Sequence, residues 1–111
     1  MEEQKLAVLE QYFRAAIGRQ DVVMWFVMPG GFIKGKPIGR DAYYARMKDN
    51  KTEIAEIDSE SQGRFFFLDD AVVVIGEGTK KLELGLIVLD GLQLSAWGFA
   101  SRNQRMVFKN L

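Results

Sequence analysis

Apolar residues recur at helical spacing at the start of the chain. Leu6, Leu9, Phe13, Ala16 and Ile17 fall on one stripe of residues 2–19, Tyr12 borders it, and Gly18 is a stop signal. Seven consecutive apolar residues then run from Val22 to Met28, with Asp21 placed to cap them. They fit a buried strand or a short buried helix equally well. Pro29-Gly30-Gly31 ends the run, and Phe32 to Lys36 reads as a short extended piece. Residues 40–49 read as a helix with Asp41 as its cap and Ala42, Tyr43 and Met47 on its buried face.

The second half has strand character. Residues 53–60 form a weak strand whose Ile54 and Ile57 are out of period-two phase, which suggests a bulge. Residues 64–68 form a strong strand with three consecutive phenylalanines, and Asp69-Asp70 turns the chain into residues 71–75. Gly76-Glu77-Gly78 turns it again into residues 80–89, and Asp90-Gly91 is a two-residue hairpin signal between apolar strands. Residues 92–101 are the last clear strand, and 102–111 extend it. Helices first and an antiparallel meander second predict an α+β fold, with the helices on one face of the sheet.

Composition narrows the chemistry. The 111 residues predict a single domain, 1–111, and 48% apolar content excludes a disordered chain. Lys+Arg and Asp+Glu are both 15, so no broad positive field is present to attract nucleic acid. There is no Cys and no His, which removes disulfides, thiol nucleophiles, histidine bases and nearly every transition-metal site. Any acid/base chemistry falls to Asp, Glu, Tyr or Lys, and no cofactor or metal is implied. The acidic pairs Asp69-Asp70 and Asp58/Glu60 supply too few ligands for calcium. No run approaches the roughly 20 residues of a membrane span, and Glu2 and Glu3 are wrong for a signal peptide, so the expected location is cytoplasmic. Gly30 to Lys36 approaches a phosphate loop, but Pro37 stands where a hydroxyl is needed.

Three segments carry a resemblance: Val8 to Phe13 in the first helix, Gly39 to Tyr44 leading into the second, and the closing strand Leu94 to Phe99. Together with the element order they are similar to the nuclear transport factor 2-like superfamily, over about residues 5–102. The resemblance implies N-terminal helices packed on a curved antiparallel sheet, forming a cone-shaped half-barrel with a pocket. Tyr12 resembles the helix-one tyrosine that donates to an oxyanion in ketosteroid isomerases. The base carboxylate of those enzymes would fall within Pro29 to Ile33, which holds no acid, and their second acid would fall near the apolar Leu86. Asp-Arg-Asp spacing of the epoxide-hydrolase kind is absent, and the dehydratase histidines have no counterpart.

The expected function is binding of a small, mostly apolar molecule. Tyr12 would be the orienting hydroxyl, Leu84, Leu86, Ala96 and Gly98 the walls, and Trp25, Phe32 and Tyr43 the mouth. An enzyme of isomerase, epoxide hydrolase or polyketide cyclase type would use Tyr12 as acid and Glu83 as base. That needs Glu83 to point inward, whereas the resemblance turns Leu82, Leu84, Leu86 and Val88 inward. A non-catalytic dimeric scaffold is the third reading. Apolar residues on both faces of the strands predict a homodimer through the outer sheet face, using Trp97 and Phe99.

Overall fold

The first apolar stripe folds as helix α1, Glu3–Ala16, in a computed structural model that describes residues 1–49, 63–75, 80–101 and 107–110. Leu6, Leu9, Phe13 and Ala16 are all buried, as the periodicity requires. The helix ends at Ile17, whose extended backbone (ψ 129°) leaves helical geometry and which stays exposed; Gly18 follows with a φ of 82°. The ambiguous apolar run is strand β1, Val22–Met28, and the extended piece is β2, Gly31–Ile38. Helix α2, Arg40–Asp49, follows, with Tyr43 buried but Ala42 exposed. Strands β3 (Phe65–Ile75), β4 (Lys80–Asp90), β5 (Ala96–Ser101) and β6 (Val107–Asn110) complete one antiparallel sheet in the order β4-β3-β2-β1-β5-β6. The expected strand at 53–60 and the turn at Gly76 to Gly78 lie outside the described residues.

The fold is α+β, but the helices are interleaved with strands and do not share a face. Phe66 packs on Phe13 of α1, ring centroids 5.1 Å apart, while Phe67 packs on Tyr43 of α2 at 4.9 Å. Successive strand residues point to opposite faces, so α1 and α2 cover opposite sides of the sheet. The run of phenylalanines is therefore two half-cores on one strand.

Two expected turns are absent because side chains and packing redirect them. Asp69-Asp70 is a bulge inside β3: the pairing with β2 shifts there, and Asp70 takes a φ of 50°. Asp90-Gly91 is not a hairpin. The Asp90 carboxylate accepts from the Leu92 N–H at 3.0 Å and opens a 3-10 turn, Gly91–Gln93. The Gly91 N–H donates to the Arg64 carbonyl at 2.7 Å. The chain then leaves the edge of the sheet and joins β5, which pairs with β1. Residues 107–110 pair with β5 as a separate strand instead of extending it.

That connection constrains the sheet. In a flat sheet, β4 and β5 would lie four strand spacings apart, about 19 Å. Asp90 faces Phe65 at one end of the strands and Ala96 faces Val27 near the other, adding roughly 25 Å along the strand direction. The six residues from Asp90 to Ala96 reach at most about 20 Å. The sheet is therefore strongly coiled, bringing its far strand back toward β5 across α1. The bulges in β2–β3 and β3–β4 supply local bending.

The phase of β5 is the reverse of the expected one. Phe26 faces Trp97 and Met24 faces Phe99 across the β1–β5 pair, so both β5 aromatics lie on the α1 side. Trp97 is fully buried. It cannot form an exposed dimer patch, and Phe99 packs partly buried against the same core. Ala96 and Gly98 lie on the opposite face, paired with Val27 and Trp25.

Candidate functional site

The last turn of α1 does not close fully onto the sheet. A groove of about 190 Å³ remains between it, β1 and β5. Ala15 and Ala16 form its helical side, Val22, Met24 and Phe99 its sheet side, and Tyr12 and Arg19 stand at its borders. Two alanines on one helical turn leave space that larger residues would fill. The Tyr12 ring stacks on Phe99 at 5.9 Å and tilts against Trp97 at 5.0 Å. Its body is thus held from behind, yet the residue keeps 41% exposure. A held phenol with an accessible hydroxyl can donate to a carbonyl or accept from a hydroxyl on a bound molecule. Arg19 is exposed and meets Asp21 only loosely, Nε to Oδ1 at 3.7 Å.

Of the pocket and catalytic residues expected from sequence, Tyr12 alone lines this groove; Phe99, expected on an outer dimer face, lines it too. Trp25 and Phe32 lie on the opposite sheet face, in edge-to-face contact at 6.2 Å, with the Lys34 ammonium over the Trp25 ring at 5.5 Å. Tyr43 is buried on Phe67 under α2, and desolvation followed by the neighbouring Tyr44 raises its pKa above the ordinary phenol value. Leu84 is exposed on the edge strand β4. It is the extra residue where the pairing jumps from Val72↔Glu83 to Ala71↔Gly85. That bulge changes the phase of the strand: Ile87 and Leu89 reach the core under α1, and Leu86 and Val88 take the other face. Glu83 pairs with Val72, whose neighbour Val73 packs on the core, so Glu83 lies exposed on the face away from Tyr12. The structure does not bring the two proposed catalytic groups together.

Sequence reasoning missed Ala15, Ala16, Arg19, Val22, Met24 and Phe99 as site residues. The Ala15-Ala16 pair one turn after Tyr12, followed by Arg19, was the available signal. The groove itself needs β5 beside β1, a pairing about 75 residues apart in sequence (Met24 with Phe99) that no local pattern announces.

The strongest electrostatic arrangement lies elsewhere. Arg64 grips Asp90 bidentately, Nε to Oδ1 at 3.0 Å and Nη2 to Oδ2 at 2.8 Å. That grip is the main cause holding the Asp90 carboxyl below its usual range. It fastens the start of β3 to the end of β4 at the crossover and is structural. Arg46 of α2 likewise bonds Asp69 at the β3 bulge. Among the described residues no helix is long and apolar enough to cross a membrane. No protein-family model matches the chain, and no curated protein matches it.

Proposed function

We propose that this protein binds a small, mostly apolar molecule in the groove between α1, β1 and β5, with the Tyr12 hydroxyl orienting it. The observation that carries this reading is the combination of an apolar recess, bounded by Ala15, Ala16, Val22, Met24 and Phe99, with one held phenol at its border. Such a pairing of apolar walls and a single directional polar group is how small-ligand sites secure both burial and orientation. The volume equals roughly six waters of liquid, so it suits one ring or a short chain, not a steroid. About ten non-hydrogen atoms at roughly −0.4 kcal/mol each give a dissociation constant near 1 mM. The resemblance to the nuclear transport factor 2-like cone is part of the same proposal. Its support is a first helix lying on a coiled antiparallel sheet, with the recess at one end of that helix.

The test uses the two tryptophans. Trp97 lies directly behind Tyr12, and Trp25 lies on the other sheet face. In a Trp25→Phe variant, cyclohexanone or 1-hexanol should change the remaining Trp97 emission saturably. Tyr12→Phe should weaken binding about two- to tenfold, the worth of one hydrogen bond. No saturable change up to tens of millimolar of either probe ends the reading.

A homodimer through the face opposite α1 is a second reading, favoured by the exposure of Phe32 beside Trp25. Its anchors would be these two residues, not Trp97 and Phe99. Sedimentation equilibrium should show a dimer that Phe32→Asp dissociates; a monomer at all concentrations refutes it.

A further inference from the structure

We infer that the groove's ligand is an amphipathic carboxylate: a ring or short chain seated on Ala15, Ala16 and Met24, with its carboxylate on Arg19. This rests on the groove reading above and names the ligand class for it. The lining is apolar except for two residues, Tyr12, which carries a hydroxyl, and Arg19, which carries a guanidinium. Both groups donate hydrogen bonds, and a carboxylate only accepts them. Arg19 is loosely engaged by the protein: it meets Asp21 with Nε 3.7 Å from Oδ1, beyond ordinary hydrogen-bond length. The Nη groups of the planar fork are therefore available for the bidentate grip that carboxylates take. Arg19 follows α1 by one turn and donates its backbone N–H to the Ala16 carbonyl at 3.1 Å. The base of its side chain is thereby fixed beside the alanines that form the recess. Asp21 is a competitor for the same guanidinium, and it sets the affinity against a weak internal carboxylate instead of against water alone.

The matched pair phenylacetate and phenylacetamide tests this. The two are nearly isosteric and differ in charge. Both are titrated into the full chain while the methyl resonances of Ala15, Ala16 and Met24 are followed by NMR. Phenylacetate should bind about three- to tenfold more tightly than the amide, the range of a partly exposed but bidentate pair. Arg19→Gln should weaken the acid about three- to tenfold and the amide, whose carbonyl accepts a weaker bond, by less, so that most of the gap between them closes. Asp21→Asn should tighten the acid about twofold to threefold, and the amide by less, by removal of the competing carboxylate. Both substitutions are at exposed positions, so folding is not at issue. Equal binding of acid and amide, unmoved by Arg19→Gln, overturns the carboxylate inference and leaves the apolar groove standing. Absence of any shift at the groove methyls with either probe overturns the groove reading and this inference with it.

Discussion

Replacing Gly91 by Ala tests the crossover on which the fold depends. A Cβ at this position would stand 2.5 Å from Leu6 Cδ2, 2.7 Å from Phe66 Cε2 and 2.8 Å from the Arg64 carbonyl oxygen. Carbon atoms settle at about 3.5–4.0 Å, so the two carbon overlaps are each about 1 Å. The three obstacles yield unequally. Leu6 Cδ2 ends a flexible side chain on α1. The Phe66 ring is braced edge-on by Phe13. The Arg64 carbonyl is backbone, held by the Gly91 N–H itself. With two of three unable to retreat, the cost falls in the upper part of the overpacking range, about 2–3 kcal/mol. Urea denaturation should report it as a midpoint lowered by about 1–2 M. Leu6→Ala alone costs about 2–5 kcal/mol through its cavity, but it removes one overlap. Gly91→Ala in that background should therefore cost about 1 kcal/mol less than in the wild type. A Gly91→Ala variant within about 0.5 kcal/mol of the wild type, or strict additivity with Leu6→Ala, refutes the packing of the 3-10 turn beneath α1.

Two further predictions concern pH. The folded pKa of Asp90 is depressed, so its contribution is present above the unfolded value near 3.9 and is lost as pH falls through the folded value. Acid titration of stability should lose part of that slope in Asp90→Asn. Asp90→Ala should be weaker than Asp90→Asn by about 1 kcal/mol at neutral pH, because asparagine still accepts from the Leu92 N–H. Tyr43 has the opposite sign: its folded pKa is raised, so the neutral phenol is favoured by folding. Its contribution is complete below the unfolded value of about 10 and is lost as pH rises through the folded value. Alkaline unfolding followed by circular dichroism should be shallower in Tyr43→Phe, and an unchanged profile counts against burial of the hydroxyl under α2.

Local pattern made some of this architecture legible. The α1 stripe follows from periodicity, because a helix decides its inward face within a few residues; α2 spans the expected residues 40–49, but Asp41 lies in its first turn instead of capping it, and Ala42 is exposed. β5 was harder. Leu94, Ala96, Gly98 and Ala100 alternate with Ser95, Trp97, Phe99 and Ser101, and both sets can be buried. Volume decides the phase: the space under Tyr12 takes Trp97 and Phe99, and small residues face Trp25. The Asp90-Gly91 turn signal was misleading because the same two residues serve a different partner set. Asp90 holds Arg64 and Leu92, and Gly91 is the only residue type that fits against Leu6 and Phe66. Tyr12 was legible as a site residue from its place at the border of the stripe. Its neighbours Ala15, Ala16, Arg19, Val22 and Met24 are close in sequence, but they become a groove only once Phe99 arrives from the far end of the chain beside Met24.

The pairing of β1 with β5 also sets the order in which the protein can assemble. β1 is made early and is apolar at every position, and its hairpin partner β2 follows at once. Its other edge waits for residue 96, almost 70 residues beyond Met28. At about 5–20 residues per second of synthesis, that wait lasts roughly 4–14 s. Throughout it an unpaired apolar edge is available to other nascent chains. Contacts of such long sequence separation also slow folding once the chain is complete. The strand that buries Trp97 therefore has a second task, to close this edge, and a chain interrupted before β5 should aggregate through β1.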